Sequence, residues 1–301
     1  MYDKRLDRQI CSLNIEYKKI KYGINYERLK FVAVIIKDIF TLNFKDAYGR
    51  ICLWFYEKFV FTTNNNLKNK SVDNNNNISD KKIAVYSCIV GKYDDVIEPI
   101  IVEDNVDYYM FTDLDVPKDS AWKKVDVTQM DEYNSFSAMD LNRKIKMLPF
   151  EYLQDYDYTI YVDGNMQIVS YLTPYIKCMK SRALGLHSHR RRDCVYDEIK
   201  AICLLNKANK KKLKKQKMDY SKKGFPKKYG LFENGIIVCD NSDIETRNLL
   251  NDWWKEYKKY GTRDQICLPF VMWSDNYDLN KILVLGDNIN ANKRFNIVSF
   301  H

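Results

Sequence analysis

The chain has 301 residues, of which 46% are hydrophobic and 14% aromatic, with only 10 glycines and 6 prolines. This composition supplies a sizeable core, so it excludes a disordered or collagen-like chain and allows one large or two small domains. The formal net charge is +9, but residues 207–228 carry eleven lysines and one aspartate, which leaves the rest near neutral. Because a nucleic-acid-binding fold spreads positive charge over a face, we expect either a solvated surface here or a clamp for an acidic ligand, polymer or lipid head group.

The sequence carries no signal for membrane insertion, secretion or zinc binding. It contains no run of about 18 uncharged apolar residues, and its charged start lacks the apolar stretch of a secretory signal. The eight cysteines have no C-x-x-C spacing, and there are only three histidines. We therefore expect reduced, mostly buried cysteines in a cytoplasmic protein, whose location extends to the inner membrane surface if its N-terminal part binds lipid.

Residues 1–63 are predicted to form a helical N-terminal extension. Apolar residues between Leu29 and Ile39 fit one helical face, and residues 53–61 form a second, aromatic patch. Two interpretations are open for this segment. It is either a helical hairpin packed on the main domain or on a second subunit of a homo-oligomer, or an interfacial anchor that makes peripheral membrane contact through residues 26–62.

An Asn-rich linker is predicted at residues 64–80, because half of residues 64–79 are Asn and little there can bury apolar area. The remaining residues, 81–301, are predicted to form the main domain.

The main domain alternates between two kinds of periodicity. The apolar run Ile83–Val90 predicts a buried strand. Further strands are predicted at 107–112, 158–162, 183–187, 235–239 and 282–285, and helices at 135–148, 171–179 and 244–260. This alternation predicts an α/β fold, with a mostly parallel, Rossmann-like sheet flanked by helices and ligands bound at the carboxyl ends of its strands.

Polar residues at strand ends supply the candidate chemistry. The strand at 158–162 runs directly into Asp163-Gly164-Asn165, whose two oxygen-bearing side chains can grip Mg²⁺ or Mn²⁺ together with substrate phosphates. The alternative is an ordinary Asp-Gly turn. A nucleotide is expected beside the loop at 90–95, which follows the first strand.

Three further segments are candidate parts of the same site. Arg143 and Lys146 can neutralise a diphosphate or lie on a solvated helix face. Gly235 allows close backbone approach to a ligand. Asp264 opens a predicted helix, where it is either an N-terminal cap or a general base near a substrate hydroxyl.

A cationic cluster at 187–193 combines two histidines, three arginines and an aspartate. It is either a surface loop or a contact for substrate phosphate or acceptor. Neighbouring arginines disfavour a metal cation there.

The order of these motifs resembles that of a GT-A-fold glycosyltransferase. More closely, it resembles the glycosyltransferase-like domain-of-unknown-function family with plant Golgi and bacterial surface-polysaccharide members. The resemblance spans residues 82–301. The segments that carry it are Lys82–Ser87 with Gly91–Asp94, Tyr109–Asp113, Arg143–Pro149, Tyr161–Met166, His187–Tyr196, Phe232–Ile236 and Arg263–Gln265.

The resemblance implies specific roles. Asp163 and Asn165 match the Asp-x-Asp metal motif, with a neutral amide at the last position, and His301 matches the C-terminal histidine that often completes the metal site. Asp264 matches the catalytic base of inverting members. Asn234 and Gly235 match the glycine loop beside the donor sugar and acceptor. Taken with the charge patterns described above, the predicted substrate-binding residues are Tyr93, Asp113, Arg143, Lys146, His187, His189, Arg191, Asn234, Gly235, Arg263 and Gln265.

The sequence therefore predicts a metal-assisted glycosyltransferase that uses Mn²⁺ or Mg²⁺. Its expected partners are a nucleotide-sugar donor and a glycan or glycoconjugate acceptor in surface polysaccharide synthesis. Two alternatives are a non-catalytic nucleotide- or carbohydrate-binding protein on a degenerate GT-A scaffold and a nucleic-acid-binding protein that uses the Lys-rich segment.

Overall fold

The computed structural model describes residues 3–21, 24–59 and 78–299. Most of the predicted linker and His301 lie outside these residues. The N-terminal part contains α1 (Lys4–Lys21), α2 (Ile24–Phe40) and α3 (Phe44–Phe59).

The main domain places a sheet between helices. Its strands are β1 (Ile83–Ile89), β2 (Val106–Thr112), β3 (Lys123–Asp126), β4 (Tyr158–Val162), β5 (Met166–Ile168), β6 (Leu184–Ser188), β7 (Phe232–Asp240), β8 (Ile282–Gly286) and β9 (Phe295–Ile297). Its helices are α4 (Ala138–Met147), α5 (Pro149–Tyr152), α6 (Thr173–Met179), α7 (Val195–Leu204), α8 (Lys210–Lys222), α9 (Ile244–Tyr260) and α10 (Asp264–Ser274). Short 3-10 turns lie at Val127–Gln129, Asp131–Asn134, Leu279–Lys281 and Ile289–Ala291.

The main sheet has the strand order β3-β2-β1-β4-β7-β6-β8, and β5 pairs with β9 in a separate two-stranded sheet. Strand β7 runs antiparallel to both of its neighbours, while the other pairings of the main sheet are parallel. This arrangement confirms the predicted α/β class with a mostly parallel sheet. It also brings the start of β7 to the edge where β1, β2 and β4 end.

The apolar run of β1 is continuous because both faces of the sheet are covered. Ala84, Tyr86 and Cys88 belong to one buried cluster, while Ile83 and Val85 belong to another. A central strand with helices on both sides has no solvent-facing side, so it lacks the alternation of a half-exposed strand. The sheet is therefore supported by packing on both faces up to the edge where its strands end.

Helix α1 is fastened to the main domain by buried polar contacts. The Arg294 guanidinium pairs with the Asp7 carboxylate at 2.5 and 3.0 Å, and both residues are buried. Lys18 Nζ donates to the backbone oxygens of Asn290 at 3.1 Å and Phe295 at 2.5 Å. Burial of these charges is tolerated because each has a partner.

Helix α3 packs closely on α7. A Cβ added at Gly49 would lie 2.1 Å from the carbonyl oxygen of Leu204, so only glycine allows this approach. Asn206 just beyond α7 donates to the Asp46 carboxylate at 2.6 Å. Within the described residues, no helix is both long and apolar enough to cross a bilayer.

We predict that the buried pair between Asp7 and Arg294 is essential for stability. Arg294→Met leaves a buried carboxylate without its main partner and should lower the free energy of unfolding by about 3–5 kcal/mol. The control Lys255→Met removes one partner of an exposed pair with Asp252, which should cost less than ~1 kcal/mol. Urea unfolding monitored by circular dichroism measures both, and equal effects would contradict the prediction.

Candidate active site

The predicted site residues Asp163 and Gly235 meet where β4 ends and β7 begins. The backbone N–H of Asp163 donates to the carbonyl oxygen of Gly235 at 2.9 Å. A Cβ added at Gly235 would lie 3.0 Å from Asp163 Oδ2 and 2.9 Å from Ile289 Cδ1. Glycine is therefore required for the strand to pass this close to the carboxylate.

Lys146 connects two carboxylates that are far apart in sequence. It lies in the last turn of α4 and is only 3% exposed. Its Nζ is 3.3 Å from Asp163 Oδ1, 3.0 Å from Asp264 Oδ2 and 5.0 Å from the centre of the Tyr161 ring. An ammonium this deeply buried needs such partners, and here both are acids on other elements.

Asp264 is the first residue of α10 and is 4% exposed. Arg143 Nε lies 3.6 Å from its Oδ1. Burial alone would raise the pKa of Asp264, but Lys146, Arg143 and Arg263 outweigh burial and hold it well below its usual range. Burial would lower the pKa of Arg143, but Asp264 and Asp163 raise it overall. At neutral pH, Asp264 is therefore an ionised carboxylate beside an ionised Arg143.

Asn234 is a buried amide with unmet hydrogen-bonding capacity. It is 5% exposed, and neither its side-chain oxygen nor its nitrogen has a partner in the described part of the chain. Such a group is costly unless a ligand or water completes it. Gln265, by contrast, is engaged, since its Nε2 donates to the carbonyl oxygen of Phe232 at 2.7 Å.

The donor set around Asp163 suits a cation that arrives with a substrate. Asn165 Nδ2 donates to the carbonyl oxygen of Ser299 at 2.9 Å, so its amide oxygen is the end left for a ligand. Across residues 3–21, 24–59 and 78–299, no group of three His, Cys, Asp or Glu side chains could hold a metal by itself. One carboxylate and one amide fit Mg²⁺ or Mn²⁺ when phosphate and water supply the other ligands.

The loop after β1 lies at the same edge. The Asp113 carboxylate, just after β2, accepts the backbone N–H of Gly91 at 3.0 and 3.1 Å. Gly91 has a φ of +75°, a conformation that favours glycine. Tyr93 is 67% exposed. The structure thus provides an ordered turn and an exposed aromatic ring where we expect the nucleotide.

The two predicted histidines are buried and neutral. His187 Nε2 lies 2.7 Å from Asn292 Nδ2, and burial, aided by Lys18, lowers its pKa to about 3. Burial lowers the pKa of His189 to about 4. His189 Nδ1 accepts a hydrogen bond from the backbone N–H of Arg191 at 3.2 Å. It thereby helps to order the arginine loop, residues 190–192.

The arginines of this loop are held by acids inside the protein. Glu57 of α3 contacts Arg191 at 2.6 Å and Arg192 at 2.5 Å, and Glu198 contacts Arg192 at 2.5 Å. Sequence reasoning did not find Glu57, because it lies more than 130 residues away with no local pattern. None of the contacts described for this loop includes Asp163, Lys146 or Asp264, so its role in binding substrate stays a prediction.

Arg263 is close enough to both Asp264 and Glu198 to affect their pKa values. It lowers the pKa of Asp264 and also contributes to lowering that of Glu198, for which burial acts in the opposite direction. Its Nε has no hydrogen-bond partner among the described residues. Tyr161, which sequence reasoning did not select as a site residue, is also buried here, and burial, followed by the nearby Asp163 carboxylate, raises the pKa of its hydroxyl well above the usual value.

A cavity of about 870 Å³ opens at the opposite edge of the sheet, lined in part by Lys82, Asp157 and Asn241. None of the predicted site residues lines it.

Three solved structures show distant similarity. The apo form of the WbbM bifunctional glycosyltransferase is 13% identical with a TM-score of 0.41, and the match covers 70% of this chain and 40% of that chain. The apo form of mouse xyloside xylosyltransferase 1 is 11% identical with a TM-score of 0.40, and the match covers 67% of this chain and 84% of that chain. The mannosyltransferase Ktr4p from S. cerevisiae is 11% identical with a TM-score of 0.36, and the match covers 79% of this chain and 78% of that chain. Similarity at this level carries no argument about activity.

The family comparison is more informative. No curated protein matches the chain. A family model described as TOD1/MUCI70, glycosyltransferase-like domain, matches residues 51–294, which include the whole central group of Asp163, Lys146 and Asp264. This match confirms the resemblance predicted from the sequence. The chain belongs to the TOD1/MUCI70 family of glycosyltransferase-like domains.

Proposed function

We propose that the protein transfers a sugar from a nucleotide-sugar donor to a glycan or glycoconjugate acceptor. The observation that carries this proposal is the convergence of Asp163 and Asp264 on Lys146, with Arg143 beside them. Transfer from a nucleotide sugar needs cations for the departing diphosphate and a carboxylate for the acceptor, and this edge has both. Membership of a glycosyltransferase-like family supports the same reaction class.

Arg143 and Lys146 are the residues proposed to bind the donor diphosphate. Both side chains are fixed by packing, so they would face the developing negative charge without reorganising. Guanidinium and ammonium groups are strong donors to phosphate oxygens. Their present partners, Asp163 and Asp264, would keep them in place before the donor arrives.

Asp163 and Asn165 would hold a Mg²⁺ or Mn²⁺ ion brought in with the diphosphate. The ion's contribution would be to neutralise charge on the leaving nucleotide. Lys146 at 3.3 Å already compensates Asp163, so we expect little metal binding before the nucleotide is present.

Asp264 is proposed to accept the proton of the acceptor hydroxyl in an inverting displacement. Its lowered pKa makes it a weak base in the free protein. A diphosphate bound by Lys146 and Arg143 would offset the positive charge that these side chains present to Asp264, and this would raise the basicity of Asp264 when the donor is bound. In a retaining reaction Asp264 would position the acceptor instead.

The unpaired amide of Asn234 is proposed to bind a sugar hydroxyl. It can both donate and accept, as a hydroxyl requires, and Gly235 beside it leaves room for close approach. A role in surface polysaccharide synthesis is part of the proposal and rests on the family resemblance alone.

The direct test is nucleotide release from UDP-, GDP-, CMP- and TDP-sugars with divalent metal. We expect turnover with one donor class, and Asp163→Asn and Asp264→Asn should each lower it at least ~100-fold. The control Asp155→Asn removes a charge at the opposite edge and should leave the rate within about twofold. Binding without turnover would support the non-catalytic alternative, and unchanged rates in either site variant would refute the role of that residue.

Metal assistance predicts that nucleotide and metal bind together. In titration calorimetry, the affinity for the nucleoside diphosphate of the active donor should fall at least ~10-fold when EDTA replaces Mn²⁺. Asp163→Asn should show the weaker affinity under both conditions, because it lacks the carboxylate that holds the ion. Equal affinity of the unmodified protein in EDTA and Mn²⁺ would mean that Arg143 and Lys146 bind the diphosphate without metal.

A further inference from the structure

Helices α2 and α3 present apolar stripes that the described part of the chain does not cover. On α2, Leu29, Val32, Ile36 and Ile39 recur at intervals of three or four residues and are 45–68% exposed. The stripe of α3 is equally regular and is partly aromatic. It consists of Phe44, Tyr48, Ile51, Phe55 and Phe59, with Trp54 beside it. Exposed apolar surface this continuous marks an interaction site.

Helices α2 and α3 pack together as a hairpin, and their acidic side chains point away from the apolar stripes. Asp38 is buried and pairs with Arg50 at 2.7 Å. Asp46 accepts from Asn206, and Glu57 binds the arginine loop. The side chains of residues 24–28 lie outside the described part of the structure. In the described remainder, the carboxylates of α2 and α3 therefore face protein groups, while lysines such as Lys37, Lys45 and Lys58 are exposed.

The Lys-rich segment predicted from the sequence lies next to this hairpin. It forms α8, on which Leu213, Gln216 and Tyr220 face the protein, while every lysine from 207 to 228 is exposed. Asn206, one residue before the segment, binds Asp46 of α3.

Helix α8 packs on α7, the helix that carries α3, and three exposed lysines of α8 lie near this contact. They are Lys210, Lys214 and Lys217. Burial raises the pKa of the Cys203 thiol of α7, and the charges of these three lysines oppose that rise. The basic helix and the apolar hairpin are thus neighbours on one part of the surface.

We propose that α2, α3 and α8 together dock on an anionic lipid surface. Amphipathic helices bind membranes when apolar area and cations act together. Here the apolar stripes would enter the boundary between head groups and acyl chains, and the lysines of α8 would contact anionic head groups. A second copy of the chain is disfavoured as the occupant, because it would bring the same positive charge to the contact.

Docking in this way would hold the start of α10, which carries Asp264, near the membrane-bound helix α8. Thr262, two residues before Asp264, donates to Gln216 of α8 at 2.6 Å, so the basic helix is physically connected to the opening of α10. This inference does not depend on the proposed transfer activity and is tested without it.

The test is co-sedimentation of the full chain with vesicles of phosphatidylcholine alone and of phosphatidylcholine with phosphatidylglycerol. We expect binding to the second kind, weakened by salt. The triple variant Lys210→Gln/Lys214→Gln/Lys217→Gln should bind at least ~10-fold more weakly. The matched control Lys118→Gln/Lys124→Gln/Lys255→Gln changes the same charge on other parts of the surface and should retain full binding.

The apolar contribution is tested by Trp54→Gln/Phe55→Gln, which should lower vesicle binding at any salt concentration. Both residues are about half exposed, so circular dichroism should show an unchanged fold. No binding to either vesicle, or equal losses in the two lysine triples, would overturn the proposal. So would salt-sensitive binding to duplex RNA without vesicle binding, or self-association that Trp54→Gln/Phe55→Gln abolishes while vesicles are ignored.

Discussion

A buried lysine between two carboxylates is the contact on which the site depends. Lys146 comes from α4, Asp163 from the end of β4 and Asp264 from the start of α10, so one ammonium ties three elements together. Removing Lys146 would take from the buried Asp264 carboxylate its nearest cation and leave Arg143 at 3.6 Å. A group of this kind contributes little net stability compared with an apolar core, which favours a chemical reason for its presence.

Strand β7 makes this convergence feasible. Because it runs against the parallel strands, its first residues rather than its last reach the edge where β4 ends. Asn234 and Gly235 are thereby placed beside Asp163, and the absence of a Cβ at Gly235 keeps the carboxylate accessible. The Asp163 peptide N–H bonded to Gly235 fixes the register of the two strands at this point.

Much of this fold and part of the site could be predicted from the sequence. Uninterrupted apolar runs identified β1 and β4, and the helix at 244–260 was predicted at its observed bounds, because periodicity reports local burial directly. The polar edge strand β3 and the short strands β5 and β9 gave no such pattern. Which acids share Lys146, and that Glu57 holds the arginine loop, are products of tertiary packing that spacing does not encode. The strand directions around β7 are likewise set by chain topology rather than by local composition.

We propose that Asp163 and Asp264 act as one centre through Lys146. A double-mutant cycle on the transfer rate tests it most directly, with Asp163→Asn, Asp264→Asn and the double variant measured at saturating donor. If the two carboxylates form a unit, the double variant should be about as slow as the slower single variant. Losses that multiply, so that the two acids behave as independent sites, would contradict the claim.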